Sequence, residues 1–220
     1  MLSSELINHN IPQLRLQDTV VKAKQLINDY KLTHLPVVAE NLFLGYISEE
    51  DLLDVEDEKI PVELIQEHFL KGFIYDDVHF LNAVQFCNQY ETNIVSVVNR
   101  SHHFMGVITT TELLKCMGDF AGANEIGGII ILEMERIQFS ISEISRIVES
   151  NNCTILHLNT TTHPNSGILS VTLHLNRKEI SSIVSAFERY EYQIKYHFGD
   201  QIFEDKTDAN YRNFMNYLNI

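Results

Sequence analysis

The chain of 220 residues has no tryptophan, four prolines and only three cysteines. Cys87, Cys116 and Cys153 lie far apart and are odd in number, so no pair has disulfide, redox or metal-ligand spacing. Reduced, partly buried thiols are expected. No apolar run approaches the roughly 20 residues that a membrane span needs. The longest, GGIIIL at 127–132, is strand-length. The opening stretch MLSSELINHN has neither the basic start nor the apolar segment of a secretory signal, so the cytoplasm is the expected compartment. Only 16 Lys and Arg stand against 30 Asp and Glu, a net charge of −14. Without a basic run to displace counterions from phosphates, nucleic acid is not an expected partner. There is no HExxH, no Cys-His spacing, no facial carboxylate set, no GxSxG and no phosphate-cradling loop, so neither a metal site, a catalytic residue nor an enzyme is expected. The acidic run DVEDE at 54–58 could hold a cation, but a solvated acidic face is the better reading.

What is present is globular material, 45% hydrophobic and 21% charged, enough for a sizeable core. It is organised as a repeat. Val20, Ala23, Leu26, Ile27 and Tyr30 recur at an offset of 60 as Phe80, Ala83, Phe86, Cys87 and Tyr90. Spacings of three, four and seven residues put each set on one face of a helix. The runs LPVV at 35–38 and VSVV at 95–98 are short and β-branched, as buried strands are. After a polar turn come FLGYIS at 43–48 and FMGVIT at 104–109, each followed by a helix, near 49–54 and 110–117. Short leading strands are expected in QLRL at 13–16 and GFIY at 72–75, and a connecting helix after Pro61. One unit of this size would be marginal alone; two packed together share a core.

The glycine-rich stretch MGDFAGANEIGG at 117–128 reads as a linker. Beyond it the pattern is β-α-β-β-α-β, a ferredoxin-like arrangement. Strands are expected in GIIILE, CTILHLNT, GILSVTLHLN and YQIKYHFG, and helices in SISEISRIVES and RKEISSIVSAFERY. Ser140 and Glu143 are spaced as a capping box. In the third strand Leu169, Val171, Leu173 and Leu175 share one face, and Ser170, Thr172 and His174 the other. A short helix with Tyr211, Phe214, Met215 and Leu218 on its apolar side is expected within 208–220. The expected domains are repeat 1 at 1–58, repeat 2 with its connecting helix at 59–118, a linker at 119–127, the βαββαβ domain at 128–200 and a tail at 201–220.

The repeated junction carries the chemistry. GYISEEDLL at 45–53 returns as GVITTTELL at 106–114. A hydroxyl at a strand end and an acid one helical turn later lie on the same side of the chain. Ser48 with Asp51, and Thr109 with Glu112, have that spacing. A carboxylate there could accept hydrogen bonds from both hydroxyls of a ribose. The same spacing also describes a helix start, with a cap and an early acid, and both readings stand.

THLPVVAENLFLGYISEEDLL resembles a CBS motif, and TNIVSVVNRSHHFMGVITTTELL is similar to a second, with Ser96 in place of the proline and Glu112 in place of the aspartate. The βαββαβ segment resembles an ACT domain, and the order CBS-CBS-ACT is similar to the acetoin-utilisation family. The resemblance implies an α/β (α+β) fold, a tandem CBS pair followed by an ACT-like domain. It also implies a non-catalytic regulatory module that senses an adenosyl compound in the CBS cleft. By the resemblance Leu35, Pro36 and Val37 line an adenine pocket, Thr19 and His79 border the ligand, and Ser48 and Asp51 hold the ribose. Thr109 and Glu112 would do so in the second copy, where the longer acid sits differently. Glu49 and Glu50 flank the first junction. Like charges about 6 Å apart cost roughly 2–3 kcal/mol at an effective dielectric near 20. AMP, adenosine or S-adenosylmethionine therefore suits the site better than ATP, whose phosphates would have to draw on His34, His79, Arg100, His102, His103, Lys22 or Lys115. ACT domains that bind amino acids place a glycine after the first strand; MERIQF at 134–139 has none, so dimerisation or signal relay is the expected use of this domain. The resemblance further implies a homodimer through the CBS helices and a regulated protein that the chain does not identify. The alternative is an interaction scaffold with no nucleotide bound.

Overall fold

A computed structural model describes residues 1–200, and the expected tail helix lies outside the described residues. The chain divides into two compact units, Met1–Met117 and a second beginning at Gly118.

In the first unit, α1 (Val20–Tyr30) starts where Thr19 Oγ1 accepts the Lys22 N–H and ends at Lys31 in the left-handed region. Val20, Ala23 and Ile27 are buried, whereas Tyr30 is 46% exposed and lies off the buried face. A hairpin follows, β1 (His34–Ala39) and β2 (Leu42–Ser48), leading into α2 (Glu49–Leu53). The second copy repeats the plan with β3 (Ile74–Tyr75), α3 (Leu81–Tyr90), β4 (Ile94–Val98), β5 (Phe104–Thr109) and α4 (Thr110–Phe120). One continuous core joins the two copies, from Val20, Leu35 and Ile47 to Phe80, Ile94 and Ile108. Helix α4 runs to Phe120, beyond the expected end at 117 and past the boundary of the first unit.

The leading strand of the first copy shrinks to a single parallel rung. Leu14 N–H donates to Pro36 O and Val38 N–H to Leu14 O, both at 2.8 Å. Pro36, two residues before Val38 and on the same side, has no N–H with which to extend the ladder.

Each repeat is completed by the segment that precedes the other. The N-terminal residues bond to the second copy, Ser3 N–H to Val78 O at 2.8 Å and Asn8 N–H to Val107 O at 2.7 Å. The connecting segment bonds to the first copy, Val62 N–H to Asp18 O at 2.8 Å and Leu70 N–H to Tyr46 O at 2.9 Å. The expected connecting helix is a 3₁₀ stretch, Val62–His68, broken at Ile65 so that Leu70 can pair with Tyr46. This crossing explains the glycine shared by both junctions. Gly45 and Gly106 sit at φ +145° and +141°, and a Cβ on either would lie 2.9 Å from Phe69 Cβ or 2.4 Å from Ile7 Cγ2.

The second unit consists of β6 (Gly128–Met134), α5 (Ile141–Ser150), β7 (Ile155–Thr162), β8 (Leu169–Leu175), α6 (Ser181–Arg189) and β9 (Gln193–Phe198). Its sheet is antiparallel with order β7-β8-β6-β9, the ferredoxin-like arrangement read from the sequence. Leu169, Val171, Leu173 and Leu175 are buried against Ile144, Ile147 and Val148 of α5 and Ile183 and Phe187 of α6. Ser140 Oγ caps α5 by accepting Glu143 N–H, but the Glu143 carboxylate takes the Tyr192 hydroxyl at 3.1 Å, so the expected reciprocal box is half formed.

Candidate functional site

Ser48 ends β2 in an extended conformation and is the N-cap of α2. Its Oγ accepts Asp51 N–H at 3.0 Å and donates to Asp51 Oδ2 at 2.5 Å. Ser48 N–H reaches the same Oδ2 at 3.4 Å. Both sequence readings of the pair therefore meet in one geometry. The capping box is formed and occupies one carboxylate oxygen. The other, Oδ1, accepts no hydrogen bond among the described residues and lies 3.8 Å from His68 Nδ1, with the Asp51 side chain 32% exposed.

The second junction is built alike but is closed. Glu112 Oε2 accepts Thr109 N–H at 3.1 Å and the Thr109 hydroxyl, while Oε1 accepts Asn8 Nδ2–H at 3.1 Å. Burial pushes the Glu112 carboxyl up, but the Thr109 and Asn8 hydrogen bonds outweigh it and hold the group below the usual glutamate range. The extra methylene of Glu112 lets its second oxygen reach Asn8. Asn8 and His68 are themselves related by the offset of 60, and each stands on a crossing segment beside the acid of the other repeat's junction. Sequence reasoning missed both, although the offset that revealed the repeat would have paired them.

The remaining sequence-picked residues are placed differently. Leu35 and Val37 are fully buried and Pro36 is buried with them. The Pro36 carbonyl is already bonded to Leu14. Thr19 is half-buried, its hydroxyl capping α1 and its backbone bridged to Pro61. His79 is exposed, stacked obliquely on Phe80 with ring centroids 4.6 Å apart, and its backbone bridges Leu2. His34, named as a candidate cation, stands beside Asp51 and Glu50; burial depresses its pKa against the pull of those acids, so the ring is neutral near pH 7. Lys22 is tied to Asp18 at 2.7 Å and Arg100 to Asp77 at 2.8 Å. Two polar devices fasten the repeats beside the junctions. Thr33 and Asn93, equivalent by the offset, exchange hydrogen bonds of 3.0–3.1 Å. Tyr46 hydroxyl accepts the N–H of Ser96. Among the described residues no group of three or more His, Cys, Asp or Glu could hold a metal ion.

Residues 3–58 match the family model of the CBS domain. A CBS domain pair/ACT domain protein from Thermotoga maritima is similar with a TM-score of 0.50 at 17% identity, over 55% of this chain and 98% of that one. That likeness is one of fold. CBSX2, solved in complex with AMP, gives 0.45 at 16% identity over 54% and 97% of the two chains. The CBS domain pair of protein MJ0100, solved with 5′-methylthioadenosine and S-adenosyl-L-methionine, gives 0.43 at 17% over 55% and 98%.

Proposed function

We propose, from the match of residues 3–58 to the CBS domain model, that the first unit is a non-catalytic regulatory module that takes an adenosyl compound at Ser48 and Asp51. The observation that carries the reading is the unspent Oδ1 of Asp51, an acceptor at a strand–helix junction whose counterpart in the second repeat is fully engaged. A charged acceptor makes the stronger hydrogen bonds to ribose hydroxyls. Thr19 and His79 border the ligand, and Leu35, Pro36 and Val37 act as the rigid floor beneath the adenine. Thr109 and Glu112 form at most a second, weaker site.

AMP, adenosine or S-adenosylmethionine is favoured over ATP. Glu49 and Glu50 adjoin the acceptor, His34 is neutral, and Lys22 and Arg100 are already paired. Among the described ion pairs no Lys or Arg stands beside Asp51. The module works as a cytoplasmic homodimer through the CBS helices, and Leu53 and Leu114, equivalent by an offset of 61, support this by being 67% and 75% exposed on α2 and α4. The ferredoxin-like unit is an ACT-like domain, in the CBS-CBS-ACT order of the acetoin-utilisation family with the boundaries read from the sequence, and it aids dimerisation or relays the bound state to a regulated protein. Ligand shifts the population between two arrangements by its differential affinity for them. No described helix is long and apolar enough to cross a membrane.

Melting the protein against AMP, adenosine, S-adenosylmethionine, ATP and NADH tests the reading. A ligand at 100 times its Kd stabilises by about 2.7 kcal/mol. Asp51→Asn, referred to its own ligand-free melting point, should abolish the shift, while Glu112→Gln should keep it. If no compound moves the melting temperature, the scaffold reading replaces this one.

A further inference from the structure

At the opposite end of the β1–β2 hairpin from Ser48 lies an open cleft of about 530 Å³, lined by none of the residues proposed to hold the nucleotide. Its size is within the range of small-molecule sites. Gln13, Arg15 and Gln17 stand on one side and Glu40 and Asn41 on the other, over an apolar floor of Leu16, Val38 and Leu44. None of those five polar side chains makes a hydrogen bond or ion pair among the described residues. The Asp18 carboxylate accepts the Arg15 backbone N–H and pairs with Lys22, and the Arg15 guanidinium acts on it only through space, without a hydrogen bond. Glu40 and Asn41 form the two-residue turn at φ +51° and +67°. Positive φ at both positions is what a two-residue hairpin turn requires, and it places Glu40 and Asn41 at the rim of the cleft.

The second repeat shows what the same place looks like when closed. Tyr75 replaces Arg15, and Arg100 replaces Glu40. There Arg100 lies 4.3 Å over the Tyr75 ring and makes a double hydrogen bond to Asp77 at 2.8 and 2.9 Å. Phe73 and His102 fill the remainder, ring to ring at 5.5 Å. In the second repeat the arginine is held by an ion pair and a ring, whereas the Arg15 and Glu40 side chains of the first make neither.

We infer that the cleft of the first repeat binds a zwitterionic α-amino acid with an aliphatic side chain, its carboxylate on Arg15 and its ammonium on Glu40. A ligand of one charge would leave the opposite group covered and unpaired. A purely apolar ligand would strand three amides as well. A molecule with both charges and an apolar portion complements rim and floor together. The site is separate from the nucleotide cleft and does not depend on it.

Calorimetric titration of the full chain with L-leucine and L-methionine tests this. Saturable binding is expected, at least tenfold weaker for 4-methylpentanoate, which lacks the ammonium, and for 3-methylbutylamine, which lacks the carboxylate. Arg15→Met and Glu40→Gln should each weaken L-leucine at least tenfold, and Asp51→Asn should not. Both residues are exposed, so circular dichroism should show unchanged folding. Absence of saturation up to about 10 mM, a concentration matched to a binding free energy of only a few kcal/mol, overturns the inference. So does affinity that survives Arg15→Met or Glu40→Gln, or that disappears in Asp51→Asn.

Discussion

At the scale of single residues, the departures from the repeat are informative. Ser96 stands where the first copy has Pro36, and so brings a backbone N–H into a fully buried strand. Tyr46, fully buried in the other repeat, satisfies it. An orphaned buried donor costs about 1–3 kcal/mol. Tyr46→Phe should lower stability by that amount in urea unfolding, and adding Ser96→Pro, which deletes the donor, should recover most of the loss. Burial also raises the Tyr46 hydroxyl pKa, so it stays protonated across the physiological range. Glu112 gives a second test. Its folded pKa lies below the ordinary 4.5, so its contribution is fully present above that value and is lost as pH falls through the folded pKa. Glu112→Gln should therefore flatten the fall of the urea midpoint between about pH 5 and pH 3, compared with the parent chain. Sequence alone read Ser96 as a poorer match, because the partner that gives it meaning is distant in the chain.

At the scale of elements, helices and hairpins were legible because their periods are local. The offset of 60, the βαββαβ order and the alternation of β8 all appear in the structure. The leading strands and the connecting helix were read too generously, since their geometry is set by pairing with remote strands: Leu14 with Val37, Leu70 with Tyr46. The candidate site was half legible. Ser48 and Asp51 are found together as their spacing required, whereas His68 and Asn8 arrive by the crossing. The same crossing predicts the effect of filling the shared glycines. Gly106→Ala places a Cβ 2.4 Å from Ile7 at a positive φ, and Gly45→Ala one 2.9 Å from Phe69. Each should destabilise by about 1–3 kcal/mol by strain and overpacking, read as a lowered melting temperature.

For the whole molecule, the proposed homodimer rests on two exposed leucines placed alike on α2 and α4. Leu53→Glu with Leu114→Glu should shift sedimentation from dimer to monomer without loss of helical signal. A chain that sediments as a monomer before substitution would reject that assembly. Retained nucleotide response in the double variant would place sensing within one chain; its loss would place it in the assembly.

The exchange of leading segments also has a temporal side. The first repeat obtains its last piece when Leu70 leaves the ribosome, soon after its hairpin. The second repeat needs Asn8, which is made first and pairs with Val107. At roughly 5–20 residues per second of synthesis, the N-terminal segment waits on the order of 5–20 seconds for its partner strand. During that interval Leu2, Leu6 and Ile7 are nascent apolar surface, available to a chaperone or to a neighbouring polysome. Ser3, Ser4, Glu5 and Asn8 interrupt that apolar surface, as residues that guard an exposed segment against aggregation do.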